Sequence, residues 1–361
     1  MPTHHQSAFF AALRARSVDL AVHYYRKVDA SRLSMGWDAH DSLPAGERYV
    51  TESLKSLDSC PDWRERVHII PGYNSLLLLR LAWLLSRQAV PWLHWSEHSQ
   101  PLARSRLTFQ VKRLYGHLVD RHALGALAIG ELARREFVRW GIRTEKIRFL
   151  PYAVNGLEVS AAAPVTEAQP GETRFLFLGQ LIERKGIDFL LAAMSSVLAA
   201  YPGARLELAG TDRSGGAYAQ DAQRLGVAHA VHFGGTIRAE EIAPVLERCD
   251  VLVLPSRHDG WGVVLNEAAS LGKALIASDG CGAAHHLIKQ GMNGFRVPTG
   301  DVAALAGAMM KYCSEPALVG RHGIESRRIF QEFTPARNAL RLEQALSSLR
   351  GARTEGLAWE T

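Results

Sequence analysis

The sequence has few cysteines, and their spacing predicts neither a metal site nor a disulfide framework. The four cysteines among 361 residues, Cys60, Cys249, Cys281 and Cys313, form no CxxC pair. Isolated cysteines of this kind are typical of proteins that fold in a reducing compartment. We therefore expect a cytoplasmic protein.

Several motifs of cofactor and metal chemistry are also absent. The sequence contains no HExxH motif, no DxD pair and no GxGxxG motif. The first two absences remove the usual short metal-binding signatures, and the third disfavours a dinucleotide-dependent dehydrogenase. We expect no metal ion and no other cofactor.

Long apolar runs are missing as well. The longest run, Leu76–Leu85, is interrupted by Arg80 and has about half of the roughly 20 residues that a membrane span needs. The N-terminus, Met-Pro-Thr-His-His, has no apolar signal segment. We expect no transmembrane helix.

The residues that are present predict a globular protein of two domains. The composition is 47% hydrophobic and 22% charged, which is ordinary for a folded protein. A chain of 361 residues exceeds the usual domain size of about 150 residues, so two domains and a cleft between them are expected.

Both halves have the pattern of α/β domains, in which short apolar runs alternate with helical stretches. This alternation predicts doubly wound parallel sheets covered by helices on both faces. In the second half the predicted strands are Phe175–Leu178, Leu206–Ala209, Val231–Phe233, Val251–Leu254 and Ala274–Ala277. In the first half they are Leu20–Tyr24, Val67–Ile70, Val90–Trp95, Ala126–Ile129 and Ile147–Leu150.

Turn-forming residues mark the predicted boundary between the domains. We place a first domain at 1–154, a linker at 155–172, a second domain at 173–333 and a C-terminal helix within 334–361. That helix is expected to pack back on the first domain. The helical pattern of Gln6–Arg16 precedes the strand at Leu20, so a first strand is expected to be missing.

The basic charge leaves two interpretations open. A net charge of +6 and a pI near 9.2 favour anionic partners without choosing among them. The predicted helix at 104–121 interleaves basic with apolar residues. Its basic residues are Arg104, Arg106, Lys112, Arg113 and Arg121. This helix has either an ordinary solvated face or a face that contacts a membrane surface.

The strongest functional signal is a glycine-containing turn between Asp259 and Glu267, which follows the strand Val251–Leu254. In α/β folds, ligands bind where a strand end leads into a helix. The backbone at Gly260 and Gly262 can approach a ligand closely, and the N–H groups of the following helical turn favour a diphosphate. Alternatively, Asp259 is a helix cap and Glu267 a satisfied carboxylate.

At these residues the chain resembles the retaining glycosyltransferases of family 4, which have two acidic residues at this spacing around such a turn. The resemblance implies that Asp259 contacts the hydroxyls of a donor sugar and that Glu267 contacts the ribose of its nucleotide. It also implies the GT-B fold, two doubly wound Rossmann-like domains facing across a cleft. The family usually has Glu where this chain has Asp259.

The loop Gly179–Gly186 resembles the loop with which the same family grips the donor diphosphate. Lys185 is the expected cation, since lysine offers a point charge to phosphate. Gln180 stands where the family commonly has Arg, and Arg184 is the candidate substitute. The predicted donor-binding residues are Gly179, Arg184, Lys185, Asp259, Gly260, Trp261, Gly262, Val263 and Glu267.

The first half is expected to hold the acceptor. After the strand Val90–Trp95 the chain has Glu97 and His98, where relatives in the resembled family place Glu or His facing the reacting sugar. Either residue could orient the donor or accept the acceptor proton; alternatively, they form a polar turn at a strand end. With Lys185 and Asp259, they are the predicted catalytic residues.

The resemblance predicts a retaining hexosyltransferase that uses a UDP- or GDP-sugar donor and a glycan acceptor. The preferred acceptor is a lipid-linked oligosaccharide of a bacterial surface polysaccharide, reached at the inner face of the membrane. A non-catalytic sugar-nucleotide-binding or scaffold protein is the main alternative. An epimerase or a phosphorylase is disfavoured by the acidic motif, and a nucleic-acid partner is not expected because only the pI favours it.

Overall fold

The computed structural model describes residues 4–28, 43–99, 106–158 and 172–357. Most of the predicted linker, residues 159–171, therefore lies outside the described residues. The chain divides into two compact units. The first comprises the described residues up to Ala153 and from Pro335 onward, and the second comprises those from Val154 to Thr334. Within the described ranges, no helix is long and apolar enough to cross a bilayer.

The strands of the first unit form two parallel sheets. A two-stranded sheet pairs β1, Val22–Tyr24, with β2, Glu47–Tyr49. A four-stranded sheet follows chain order, with β3 at His68–Pro71, β4 at Trp92–Ser96, β5 at Gly125–Ala128 and β6 at Ile147–Phe149. The predicted strands match β1 and β3 to β6 to within about two residues. Strand β2 was not predicted, because the sequence Glu-Arg-Tyr has no apolar run.

Four helices in the described part of the first unit precede the second unit in the sequence. They are α1, His4–Ala15; α2, Leu76–Arg87; α3, Arg106–His122; and α4, Glu131–Arg139. The hydroxyl of Ser75 caps α2 by accepting the N–H of Leu78 at 3.2 Å. Helix α2 buries Leu78, Ala82 and Leu85, which recur at the spacing of one helix face.

The second unit is a six-stranded parallel sheet with helices between its strands. Its strands are β7, Arg174–Leu178; β8, Arg205–Ala209; β9, Val231–Gly235; β10, Val251–Leu254; β11, Ala274–Ser278; and β12, Gly294–Val297. Its helices are α5, Ile187–Ala200; α6, Ala217–Arg224; α7, Ile242–Glu247; α8, Val264–Ser270; α9, Ala284–Leu287; α10, Val302–Ser314; and α11, Ala317–Phe330.

The strand order of this sheet is β12-β11-β10-β7-β8-β9. The order reverses between β7 and β10, which lie side by side. Every residue of β10 and β11 is buried, as expected for central strands covered on both faces. In doubly wound sheets the ligand site lies beyond the carboxyl ends of the strands at such a reversal.

The last helix, α12 at Pro335–Leu357, packs against α1 in the first unit. Phe9 and Leu13 on α1 are buried, and Arg16 makes two hydrogen bonds to Glu343 at 2.7 and 2.6 Å. The buried amide of Asn338 donates to the carbonyl of Pro151 at 2.5 Å. Apolar packing and buried hydrogen bonding together hold this helix in the first unit.

Candidate active site

Lys185 and Asp259 meet at the switch point of the second sheet. Lys185 ends a short 3₁₀ helix, Glu183–Lys185, after β7, and Asp259 follows β10. The Nζ atom of Lys185 lies 2.5 Å from Oδ2 of Asp259, and the two side chains are only 14% and 12% exposed. The structure thus brings together two of the predicted catalytic residues as a largely buried ion pair.

The loops that carry this pair also contact each other through the backbone. Gly186 has a left-handed φ of 72°, and a Cβ atom at this position would clash with the carbonyl oxygen of Pro255. The carbonyl of Arg184 accepts the N–H of Arg257 at 2.9 Å. The guanidinium of Arg184 donates to the carbonyl of His258 at 2.8 Å, so one of its N–H groups already has a protein partner. Its role as a second phosphate cation stays a prediction.

The turn after Asp259 rests on the loop that follows β11. The N–H of Asp259 donates to the carbonyl of Gly280 at 3.0 Å. Gly262 has a φ of 88°, and a Cβ there would lie 2.5 Å from Sγ of Cys281. Gly262 therefore serves the close packing of the two loops, and its backbone remains the part that a ligand could contact.

Trp261 does not offer its side chain to a ligand. The ring is 1% exposed, and its N–H donates to Oδ1 of Asn266 at 2.8 Å. The ring stacks on His286 at a centroid distance of 5.7 Å. Only the backbone of Trp261 can face a donor. The sequence analysis did not identify Asn266 as a residue of this site. Its side chain is fully buried, and a buried amide needs a hydrogen-bond partner, which here is the Trp261 ring N–H.

Glu267 is a half-buried carboxylate on α8. Its side chain makes no hydrogen bond or ion pair with any residue that the structure describes. Desolvation raises the pKa of the Glu267 carboxyl to about 7. An unsatisfied, poorly solvated carboxylate near a turn of close backbone contacts is suited to accept hydrogen bonds from ligand hydroxyls.

The remaining predicted catalytic residues, Glu97 and His98, lie in the first unit directly after β4. Burial first, and then the charge of Glu97, raises the pKa of the Tyr152 phenol, so the Glu97 carboxylate is close to that ring. Nδ1 of His98 is buried. The nearby His94 is a different case, because complete burial lowers its pKa to about 3 and keeps it neutral in the core.

The helix predicted to be basic and amphipathic is α3, which exposes apolar residues and buries most of one of its lysines. Leu107 and Leu114 on α3 are each 73% exposed, and Val111 between them is 51% exposed. Lys112, expected at the surface, turns inward and pairs with Glu136 at 2.9 Å. Arg104 lies outside the described residues, and the side chain of Arg106 is likewise not described.

The described residues offer no evident metal site. No group of three or more His, Cys, Asp or Glu side chains within them is arranged to hold a metal ion. The expectation of metal-independent chemistry stays a prediction.

The second unit matches a known protein family. Residues 172–315 match the family described as Glycosyl transferases group 1. The chain is 30% identical to glycogen synthase of Mycobacterium tuberculosis over 182 residues, which cover 50% of this chain and 44% of that protein. It is 28% identical to phosphatidyl-myo-inositol mannosyltransferase of Mycobacterium leprae over 232 residues, 62% and 60% of the two chains. The chain thus spans about half the length of the relatives it matches.

Solved structures resemble the whole chain. Anabaena HepE in complex with UDP and glucose superposes with a TM-score of 0.71 at 19% identity, over 96% of each chain. Sucrose-phosphate synthase from Thermosynechococcus elongatus superposes with a TM-score of 0.71 at 23% identity, over 95% of this chain and 92% of that one. At this identity the likeness shows the fold, and the predicted GT-B class of α/β fold is thereby confirmed.

The contact between the two loops predicts how glycine substitutions differ. Gly186 and Gly215 share nearly the same φ, 72° and 68°, but a Cβ at Gly215 meets nothing within 4 Å. Gly215→Ala should lower the free energy of unfolding by about 1 kcal/mol, the cost of a left-handed alanine. Gly186→Ala should lower it by about 1–3 kcal/mol more, because its Cβ must also displace the Pro255 carbonyl. Urea denaturation measures both values; equal losses would show that the loops do not approach as described.

The raised pKa of Glu267 predicts a pH-dependent stability. Its folded pKa of about 7 exceeds the ordinary value of 4.5, so the folded state binds this proton more tightly than the unfolded chain. The stability that the proton supplies is fully present below pH 4.5 and is lost as the pH rises through 7. Relative to Glu267→Gln, the wild type should therefore lose about 1–3 kcal/mol between pH 5 and pH 8.

Urea unfolding of the wild type and of Glu267→Gln at several pH values checks this difference. Glu65→Gln, which removes a carboxylate that is exposed, is the matched control. A stability difference between the wild type and Glu267→Gln that stays constant with pH would contradict a raised pKa at Glu267.

Proposed function

We propose, from the premise that residues 172–315 belong to the group 1 glycosyltransferases, that the chain is a retaining glycosyltransferase that moves a hexose from a nucleotide-sugar donor to a glycan acceptor. The observation that carries this proposal is the ion pair of Lys185 and Asp259 at the sheet's switch point. Relatives named as glycogen synthase and mannosyltransferase support a hexose as the transferred sugar.

The donor binds, in this proposal, on the second unit. Its diphosphate replaces Asp259 as the partner of the Lys185 ammonium, and its sugar hydroxyls donate hydrogen bonds to the carboxylate of Asp259. Glu267 accepts hydrogen bonds from the ribose. The solved structure of HepE with UDP and glucose supports a UDP-sugar, and the relatives named as mannosyltransferases keep a GDP-sugar as the second candidate.

The proposed chemistry depends on stabilising the leaving group. Charge builds on the departing diphosphate as the bond to the sugar breaks, and the Lys185 ammonium lies in a poorly solvated place where its field is weakly screened. The acceptor hydroxyl attacks from the face that the diphosphate leaves, and the diphosphate takes its proton, so the anomeric configuration is retained. Glu97 and His98 are assigned to orienting the reacting groups. No metal ion enters this scheme.

A panel of UDP-, GDP-, ADP- and dTDP-sugars, measured by calorimetry in EDTA, tests the donor site. One donor should bind the wild type, and Lys185→Met should weaken it about 10- to 100-fold, the worth of a charge-assisted hydrogen bond. Lys311→Met, which removes an exposed lysine of α10, should leave binding unchanged. Binding without hydrolysis or transfer of the sugar would favour the non-catalytic alternative, and binding only with added magnesium would overturn metal independence.

We further propose a lipid-linked acceptor, reached by a peripheral contact with an anionic membrane. Leu107, Val111 and Leu114 recur at helical spacing on the exposed face of α3. On the neighbouring helix α2, Leu76 is 72% exposed and Trp83 is 54% exposed. Apolar side chains that insert at the headgroup boundary, flanked by arginines, are typical of helices that lie on membranes.

Sedimentation with vesicles of phosphatidylglycerol and phosphatidylcholine tests this contact. The double variant Leu107→Ser/Leu114→Ser should bind at least about 10-fold more weakly, since each leucine loses about 1.5–3 kcal/mol of apolar transfer energy if fully inserted. Ile324→Ser, which removes an apolar side chain that is 72% exposed on α11, is the matched control and should bind as the wild type does. If both variants lost vesicle binding equally, or neither lost any, α3 would not be the part of the protein that contacts the membrane.

A further inference from the structure

A partly buried polar cluster ties the segment after β4 to two helices of the first unit. Glu136 on α4 accepts the backbone N–H of Ser99 at 2.7 Å and its hydroxyl at 2.5 Å. The Nζ atom of Lys112 on α3 lies 2.9 Å from the same carboxylate and 2.5 Å from the Ser99 hydroxyl. Ser99 is thus held through both its backbone and its side chain.

The surroundings of this cluster keep it charged and in place. The side chains of Lys112 and Glu136 are 15% and 18% exposed. The ammonium lies 6.0 Å from the ring centre of Tyr73 and 5.7 Å from that of Trp140, within reach of cation–π attraction. Burial opposes the charge of Lys112, but its hydrogen bond and attraction to Glu136 leave its pKa above the ordinary value.

A glycine fixes the distance between the two helices at this point. A Cβ atom at Gly116 on α3 would lie 2.6 Å from Cβ of Trp140 and would clash with the Trp140 carbonyl. Lys112 lies one helical turn before Gly116, on the same face of α3. The close approach at Gly116 therefore sets how far Lys112 reaches towards Glu136.

The position of Ser99 in the sequence connects the cluster to the candidate catalytic residues Glu97 and His98. Ser99 directly follows His98 and lies two residues after Glu97, and β4 has already ended at Ser96. Regular sheet pairing therefore does not hold the Glu97–His98 turn. A partly buried ion pair is a weak source of stability compared with an apolar pair of the same size, whereas its hydrogen bonds impose a definite geometry.

We propose that Lys112 and Glu136 are a positioning pair, which through Ser99 holds the Glu97–His98 turn in the geometry that sugar transfer requires. This assignment rests on the proposed transferase function. Neither residue contacts the reacting atoms; they act by fixing the turn that carries the candidate catalytic side chains. Displacing such a turn by about 1 Å is enough to slow a reaction about 100-fold.

The test uses the full chain and the double variant Lys112→Met/Glu136→Gln, which removes both charges and leaves neither one unpaired. Arg134→Met/Glu131→Gln, which removes the ion pairs of Glu131 with Arg134 and Arg135 on the more exposed face of α4, is the control. Hydrogen exchange of the peptide spanning residues 93–99 should quicken at least about 10-fold in the first variant and not in the control. Unchanged exchange in both variants would show that the pair does not hold the turn.

Kinetics then separate positioning from a general loss of structure. Hydrolysis of UDP-glucose and GDP-mannose is followed for each variant, and kcat is expressed per nucleotide-binding site counted by titration with UDP or GDP. We expect kcat per site to fall about 10- to 100-fold with KM for the donor within about twofold of the wild type. A merely structural role would reduce the number of binding sites and leave kcat per site unchanged, which would overturn the assignment.

The outcome also separates this inference from the proposed function. If the double variant has the same kcat per site as an active wild type, the assignment of the positioning pair is overturned and the transferase function is not. A wild type that neither binds nor hydrolyses any donor overturns the transferase function, and the positioning pair with it. Lys112→Arg, which keeps the charge and can still donate to Glu136, should recover most of the activity if positioning is the cause.

Discussion

The reversal of strand order between β7 and β10 is the constraint on which the candidate donor site depends. The two strands are parallel neighbours, so the loops that leave them share one small volume at the same edge of the sheet. Gly186 provides the left-handed backbone that lets the first loop pass the carbonyl of Pro255. The ion pair of Lys185 and Asp259 then forms where both loops turn. Its main contribution is geometric, because a largely buried ion pair adds little net stability.

The second unit was largely predictable from the sequence because its central strands are continuous apolar runs. Strand β12 was missed because Gly-Phe-Arg-Val is short and contains a charge. Lys185 and Asp259 were each predicted, but their contact was not, since they are 74 residues apart and the pairing depends on the order of strands in the sheet. The burial of Trp261 was also not predictable, because an aromatic residue in a glycine-containing turn can face either the ligand or the core.

Helix α3 shows where periodicity alone fails. A repeating pattern identifies two faces of a helix but does not say which one meets the core. Here Tyr115 and Val119 pack inward together with Lys112, whereas Leu107 and Leu114 point outward. Contacts with two residues outside the helix explain this orientation. Glu136 compensates the charge of Lys112, and the close approach of Gly116 to Trp140 sets the rotation of the helix. Neither partner is near α3 in the sequence.

The packing of α12 on α1 makes the first unit discontinuous in the chain. Helix α1 precedes the second unit in the chain and α12 follows it, so the contact between these two helices can form only after the second unit has been synthesised. The described residues of the second unit all lie between Val154 and Thr334, ahead of α12. A chain that stops before Pro335 therefore lacks the helix that packs on α1, although every residue of α1 is present.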